Sequence, residues 1–229
     1  PIIMEMQGAR FESAQITENY MYIKVVNPRL TGEVRVGDVV QAGVVISNSE
    51  TGLGAVNVQP LLFRLACLNG MVVNDSRVST RRNHVGRANS ADENFALYSQ
   101  ETLDQDGKAF MMKVQDTVRA AVDEARFAKV LDTMKESTQA KLDTTDIPAV
   151  VKLTSNNFGL TEAEGKGVLQ HLLEDADYTL YGLANAVTRY SQDVEDYDRA
   201  SKLEVIGYNV MTMPPAMFKQ INQGTSMAA

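Results

Sequence analysis

The stretch over residues 39–73 constrains the fold most, because it combines the densest apolar patterning of the chain with a clear turn signal. An apolar run over residues 39–46 is followed by the segment SNSETGLG at residues 47–54. Two glycines and several short polar side chains in this segment allow the backbone to reverse at low cost. A second apolar run follows, so the stretch predicts a chain reversal between two apolar segments.

The residues before this stretch predict strands. Aromatic and β-branched residues alternate with polar ones over residues 8–27, which favours a pair of strands that ends at Asn27-Pro28. After a turn at Thr31-Gly32, residues 33–46 predict another pair of strands, reversed near residues 36–38. The chain therefore begins with antiparallel strands joined by short turns.

The second apolar run is predicted to contain one short helix. Residues 55–58 are few enough to form a strand, and Pro60 suits the first position of a helix over residues 61–68. Asn69-Gly70 would then be the C-cap of this helix, and residues 71–73 would return to the sheet.

From residue 90 onward the apolar period changes from two to near 3.6, which indicates helix. Pro and Gly are absent from residues 108–140, so one long helix to about residue 142 is the simpler prediction. The alternative is a helix with breaks near Gly107 and residues 126–128. A connector is predicted to follow at residues 147–159.

Shorter helices are predicted in the C-terminal part. Thr161 and Glu164 have the spacing of a capping box, which starts a helix. Residues 179–194 and residues 200–210 each carry an apolar stripe at helical spacing. After Pro214-Pro215 a last short helix is predicted.

These patterns together predict an α+β fold: an N-terminal antiparallel sheet with one short helix, then a long helix and a C-terminal helical layer. Residues 1–89 are the predicted sheet region with a basic loop, and residues 90–229 are the helical region packed on it. The chain is long enough for one large or two small domains, and its 44% hydrophobic content can build a sizeable core. We predict one integrated domain.

Composition limits the class of protein and its compartment. The formal charge of −7 argues against a protein that coats duplex DNA with its whole surface, although local basic patches remain open. The single cysteine, Cys67, excludes a disulfide framework and favours a reducing compartment. No apolar window is long enough to span a membrane, so we expect a cytoplasmic protein. Because the chain begins at Pro1 and not at Met, we expect an N-terminal portion to have been cleaved or left out of the numbering.

A cluster of positive charge is the strongest functional signal in this acidic chain. Residues 74–89 are polar and predict an exposed connection, and they contain the candidate nucleic-acid-binding residues Arg77, Arg81, Arg82, His84 and Arg87. Arginine suits bidentate contacts with phosphate, and a basic segment beside a sheet can follow a nucleic-acid backbone. The alternative is a solvated loop whose arginines pair with acids such as Glu174, Asp175 and Asp177.

The SNSETGLG segment is a second candidate site. Backbone N–H groups in a glycine-containing turn can converge on an anion, and the residues concerned are Ser47, Asn48, Ser49, Gly52 and Gly54. The segment lacks the Lys-Ser/Thr of a P-loop and does not match the dinucleotide-binding glycine pattern. A purely structural turn is therefore the alternative.

Metal and catalytic motifs are not readable in the sequence. The two histidines, His84 and His171, have no ligand at metal-binding spacing. The acidic run over residues 193–198 has Asp198 where a calcium loop requires glycine, so a helix-joining loop is favoured. No serine lies in a nucleophile elbow. We therefore expect no catalytic set, no metal and no cofactor.

Four sequence blocks carry a family resemblance. VVISNSETGLGAVNV, RLACLNGMVV, YGLANAVTRYSQ and DRASKLEVIGYNVM, between residues 44 and 211, resemble an uncharacterised family of phage and plasmid-like proteins, a prokaryotic domain of unknown function. In that family an Asn-Ser-Glu-x-Gly turn and a Cys-x-Asn-Gly-Met block recur. They are matched here by Asn48, Ser49, Glu50, Gly52, Cys67, Asn69, Gly70 and Met71. The resemblance implies a mobile-element context and no known activity.

The expected function is non-enzymatic nucleic-acid binding, as a single-strand binding or annealing factor that works as a homo-oligomer. In this hypothesis the arginines hold phosphates, and Met111 and Met112 of the long helix contribute to subunit contacts. One alternative is a phage structural or protein-interaction protein that uses the same arginines as a protein interface. Another is an enzyme acting on nucleotides, with the SNSETGLG turn at the substrate phosphate.

Overall fold

The computed structural model describes residues 8–49, 55–66, 69–73, 80–83 and 99–224. Within these ranges an antiparallel sheet precedes a set of helices, so the predicted α+β class is confirmed. The strands are β1 (Arg10–Ile16), β2 (Met21–Arg35), β3 (Asp38–Asn48), β4 (Ala55–Arg64), β5 (Asn69–Val72) and β6 (Thr80–Asn83).

The sheet has the order β1-β2-β3-β4-β5, and β6 also pairs with β4. β5 pairs with residues 61–64 of β4 and β6 pairs with residues 55–58, both antiparallel. Because β3 occupies the other side of β4, β5 and β6 lie one after the other along its outer edge. Val73 is the last described residue at this edge before β6, which begins at Thr80.

β2 is longer than the sequence predicts. The expected breaks at Asn27-Pro28 and Thr31-Gly32 are wrong, because β2 continues through both. Asn27 pairs with Ala42 and Thr31 pairs with Gln41, so the residues between them bulge from the ladder without ending the strand. The predicted reversal near residues 36–38 is confirmed, and Gly37 supplies the positive φ of +82° at this turn.

The predicted short helix at residues 61–68 is wrong, because residues 61–64 belong to strand β4. Leu61, Leu62 and Phe63 are all buried, since both faces of β4 are covered. A short run that is apolar on both faces has no strand periodicity and cannot be told from a buried helix by its pattern. Asn69 and Gly70 accordingly open β5 and do not cap a helix.

The helices are α1 (Gln100–Ala121), α2 (Glu124–Ser137), α3 (Ile147–Phe158), α4 (Glu162–Asp175), α5 (Leu180–Tyr190), α6 (Tyr197–Met211) and α7 (Pro215–Asn222). A 3₁₀ turn, Ser191–Asp193, follows α5. None of the helices in the described part of the chain is long and apolar enough to cross a membrane.

Two aspartates explain why the predicted long helix and the predicted connector are wrong. The single long helix is wrong, because Asp123 accepts a hydrogen bond from the Arg126 backbone N–H and starts α2. The predicted connector at residues 147–159 is also wrong. Asp146 caps α3 through the Ala149 backbone N–H, and Gly159 ends α3 in the left-handed conformation with φ of 69°.

Helices cover both faces of the sheet. Val114 and Val118 of α1 pack with Val25, Val44 and Val58 on one face. On the other face, Val205 of α6 packs against a cluster of buried strand residues, which are Val26, Val45, Leu61, Phe63 and Val72. The largest cluster joins residues of the sheet to residues of α2 through α7. Sheet and helices therefore share core contacts throughout.

The capping box predicted for α4 is confirmed. The Glu164 backbone N–H donates to the Thr161 hydroxyl, and the Thr161 backbone N–H donates to the Glu164 carboxylate. Arg199 of α6 donates from Nε and one terminal nitrogen to the two oxygens of the same carboxylate, at 2.7 and 2.8 Å. Glu164 thus ties the start of α4 to α6.

This carboxylate should make stability sensitive to acid. The hydrogen bonds from Arg199 lower the pKa of Glu164 from its ordinary value of 4.5 to about 2. A depressed pKa means that the stabilisation is present above pH 4.5 and is lost as the pH falls toward 2. We expect Glu164→Gln to lose less unfolding free energy than the native chain between pH 7 and pH 3, measured by urea denaturation. Equal losses of unfolding free energy in the native chain and in Glu164→Gln would contradict the lowered pKa of Glu164.

Candidate functional site

The outer edge of β4 carries two of the predicted nucleic-acid-binding residues. In the backbone register of β6, Arg81 pairs with Asn57 and Arg82 pairs with Val56. The predicted exposed connection over residues 74–89 is therefore interrupted by a strand. Arg77, His84 and Arg87 lie outside the described residues.

A pocket of about 380 Å³ lies next to this edge and has a basic rim. Arg126 and Lys129 of α2 line it, both side chains are exposed, and neither forms a salt bridge with an acid in the described ranges. Its other walls include Pro60 of β4 and Val73, the last described residue before Arg77. The described chain before Arg77 thus ends, at Val73, at a pocket that two cations line.

The acids proposed as partners of the arginine cluster are engaged elsewhere. Arg189 donates to Glu174 and Asp175, with nitrogen to oxygen distances of 3.1 and 2.5 Å. Arg35 donates to Asp177 at 2.8 Å. These three carboxylates therefore serve contacts between α5 and α4 and between β2 and the end of α4.

The predicted anion-binding turn is only partly within the described residues. Ser47 and Asn48 are the last residues of β3, where Ser47 pairs with Tyr22 on one side and Asn57 on the other. Ser49 is fully buried. Gly52 and Gly54, on which a backbone anion site depends, lie outside the described residues.

A cluster between the sheet and α6 was not predicted from the sequence. Lys24 Nζ of β2 donates to Glu204 Oε1 of α6 at 2.5 Å, and the two side chains are only 10% and 8% exposed. The Lys24 nitrogen also lies 5.6 Å from the centre of the Tyr197 ring. The chain therefore buries an ion pair between residues that are 180 positions apart.

Burial and mutual attraction both shift the pKa values of Lys24 and Glu204. Burial lowers the pKa of Lys24, but the Glu204 carboxylate and Tyr197 more than offset it, so the pKa of Lys24 is raised overall. Burial also raises the pKa of Glu204, and Lys24 offsets only part of that shift. Each partner therefore depends on the other to remain charged away from water.

A pocket of about 300 Å³ opens onto this ion pair. Residues from β1, β2, β4, β5, the 3₁₀ turn and α6 line it, among them Glu12, Ser13, Lys24, Phe63, Asn69, Gly70, Gln192, Tyr197 and Glu204. Three of its lining residues have a buried oxygen without a hydrogen-bond partner: Oε2 of Glu204, Oδ1 of Asn69 and Oγ of Ser201. We call this cavity the Lys24–Glu204 pocket.

The acidic run after α5 is divided among separate structural contacts. Asp193 bonds to Nε2 of His171, Asp196 caps α6, and Asp198 accepts from the hydroxyls of Thr17 and Tyr22. Among the described residues, no group of three or more His, Cys, Asp or Glu side chains could hold a metal ion. The run therefore joins elements of the fold.

The chain combines an antiparallel sheet that has helices on both faces, an outer strand that carries Arg81 and Arg82, and a pocket at the buried Lys24–Glu204 ion pair. It belongs to the family described as Domain of unknown function (DUF932), whose model matches residues 2–215. The resemblance to an uncharacterised family is thereby confirmed. The chain matches no curated protein and no solved structure.

Proposed function

We propose that this protein is a non-enzymatic nucleic-acid-binding protein of a phage or plasmid, which holds single-stranded nucleic acid along the β6 edge of its sheet. One observation carries the proposal: Arg81 and Arg82 lie on an outer strand paired with residues 55–58 of β4, and the following residues of β4 line a pocket that Arg126 and Lys129 also line. Positive residues from two separate segments of the chain thus lie at successive parts of strand β4.

The charge distribution favours a localised contact. With a formal charge of −7 the protein as a whole repels a polyanion, so binding depends on a patch where cations outnumber acids. Guanidinium groups bind phosphate through paired hydrogen bonds, and a single strand can follow such a patch without a defined groove. An edge strand and the adjoining end of a helix provide such an elongated patch.

The second part of the proposal is self-association through α1. Met111 and Met112 are 49% and 63% exposed on this helix, although both are large apolar side chains. A second copy of the chain that covers them would bring further β6 edges beside one strand of nucleic acid. Light scattering with and without oligonucleotide measures this, and the expected mass is a multiple of the 25.2 kDa chain mass.

A fluorescence-anisotropy titration with a labelled single-stranded oligonucleotide tests the proposal. We expect the double variant Arg81→Ala, Arg82→Ala to weaken binding by about tenfold or more, because two charge-assisted contacts are removed. The matched control is Arg10→Ala, Arg29→Ala, which removes two exposed arginines at the β1 side of the sheet. Equal effects of the two double variants would contradict the β6 edge as the binding surface.

The alternative is a phage structural or interaction protein in which the same arginines contact another protein. The titration separates the two functions, since absent binding, or binding that does not fall with salt concentration, supports the protein-interaction surface. Binding that depends on Arg81 and Arg82 supports the nucleic-acid function.

A further inference from the structure

The Lys24–Glu204 pocket contains a buried hydrogen-bond acceptor that no donor in the described part of the chain satisfies. Glu204 uses Oε1 to accept from Lys24, while its Oε2 is buried and unpaired. Leaving a buried acceptor without a donor is costly, and native proteins rarely do so away from a binding site. Glu204 Oε2 therefore requires a hydrogen-bond donor from outside the chain.

Asn69 adds a second acceptor of fixed orientation. The Thr188 hydroxyl donates its proton to the Asn185 carbonyl, so it can only accept from Asn69. The Asn69 amide nitrogen therefore faces Thr188, and its oxygen is the unpaired atom. Two residues that line one pocket thus each carry an unpaired acceptor.

The charges around these acceptors restrict the ligand to an uncharged molecule. A cation at Glu204 would meet the ammonium of Lys24, which already neutralises this carboxylate. An anion would face the lone pairs of Glu204 Oε2 and Asn69 Oδ1, which only accept hydrogen bonds. An uncharged ligand with two hydrogen-bond donors satisfies both of these oxygens without adding a buried charge, and the Ser201 hydroxyl can donate to it or accept from it.

The size and walls of the pocket agree with such a ligand. Its volume of about 300 Å³ lies at the lower end of the range for small-molecule sites. Phe63 and Tyr197 supply aromatic surface beside the polar groups. The pocket also brings together Asn69 and Gly70 with Ser201 and Glu204, which come from two of the sequence blocks that carry the family resemblance.

We propose that the Lys24–Glu204 pocket binds a small uncharged ligand through two hydrogen-bond donors, which pair with Glu204 Oε2 and Asn69 Oδ1. Two common groups have this chemistry: the ring N–H and amino edge of a guanine base, and the vicinal hydroxyls of a sugar. The site is separate from the β6 edge and does not depend on phosphate. Its occupancy is therefore independent of the proposed nucleic-acid function.

Calorimetric titration of the full chain with nucleosides tests this site. 2′-Deoxyguanosine carries the base donors without a sugar diol, adenosine carries the diol without the guanine edge, and thymidine carries neither. We expect deoxyguanosine or adenosine to bind with a dissociation constant below about 1 mM, and thymidine to bind at least about tenfold more weakly. The nucleoside that binds identifies which donor pair the pocket takes. Because none of them carries phosphate, the result does not depend on Arg81 and Arg82.

Two variants link binding to the pocket. Glu204→Gln turns one acceptor into an amide and should weaken binding by about tenfold or more. Gly70→Ala keeps both charged side chains but adds a methyl group 3.3 Å from Glu204 Oε1 and 3.0 Å from Leu61 Cδ1, which narrows the pocket. This second variant keeps the test valid if Glu204→Gln does not fold.

The matched control is Gly107→Ala, where an added methyl group meets no atom within 4 Å. It should bind as the native chain does. Binding of deoxyguanosine or adenosine that is lost in Gly70→Ala and kept in Gly107→Ala supports the proposal. Absence of binding by both nucleosides, or binding that Gly70→Ala leaves unchanged, overturns it.

Discussion

Replacement of Lys24 by methionine is expected to lower the free energy of unfolding by about 3–5 kcal/mol, because it leaves the Glu204 carboxylate buried without its cation. Methionine keeps most of the length of the lysine side chain, so the loss of stability would come from the missing charge and not from a cavity. Urea denaturation at neutral pH measures it, with the midpoint and the slope fitted separately.

The double variant Lys24→Met, Glu204→Leu is the control for this prediction. Buried ion pairs replaced as a whole by apolar side chains are often close to neutral in stability. We therefore expect the double variant to recover most of the loss seen in Lys24→Met. If the single variant costs no more than a surface ion pair, about 0–1 kcal/mol, Lys24 and Glu204 are not buried together in solution.

The second large effect is expected at Asp38, the first residue of β3. Its carboxylate accepts from Arg64 at 2.6 and 3.0 Å and from the hydroxyl of the buried Tyr181 at 2.9 Å. These contacts tie the hairpin after β2 to β4 and to α5. Asp38→Ala would leave a guanidinium and a phenol without their shared acceptor inside the fold.

We expect Asp38→Ala to lower the free energy of unfolding by about 3 kcal/mol. The matched control is Asp116→Ala on α1, whose carboxylate lies 3.4 Å from Arg119 on an exposed surface. That variant should change stability by less than about 0.5 kcal/mol. Similar losses in the two variants would show that the Asp38 contacts do not hold the sheet to α5.

Local signals in the sequence predicted some elements and missed others for physical reasons. The capping box at Thr161 was readable because both of its contacts join residues three positions apart. The caps at Asp123 and Asp146 could have been predicted, because each aspartate precedes an apolar stripe. The cap at Asp123 was missed because the apolar spacing continues across it without a break. The apolar run at residues 61–64 had no usable period, so strand and helix looked alike.

The sequence likewise identified some of the site residues and missed others. Clustering along the chain identified Arg81 and Arg82, because they are neighbours in sequence. Their pairing with β4, and the position of Arg126 and Lys129 at the pocket beside residues 60–62 of the same strand, depend on tertiary structure and could not be predicted. Lys24 and Glu204 meet only because β2 and α6 pack together, although a lysine inside a β-branched run was a signal for a buried partner.

The salt dependence of oligonucleotide binding tests the central claim most directly. The logarithm of the association constant for single-stranded DNA should fall linearly with the logarithm of salt concentration, by about 0.7 for each phosphate contact. We predict a steep negative slope for the native chain, and a slope shallower by about 1.4 for Arg81→Ala, Arg82→Ala. A native chain that shows no binding, or a slope that the double variant leaves unchanged, would contradict the proposed nucleic-acid function of the β6 edge.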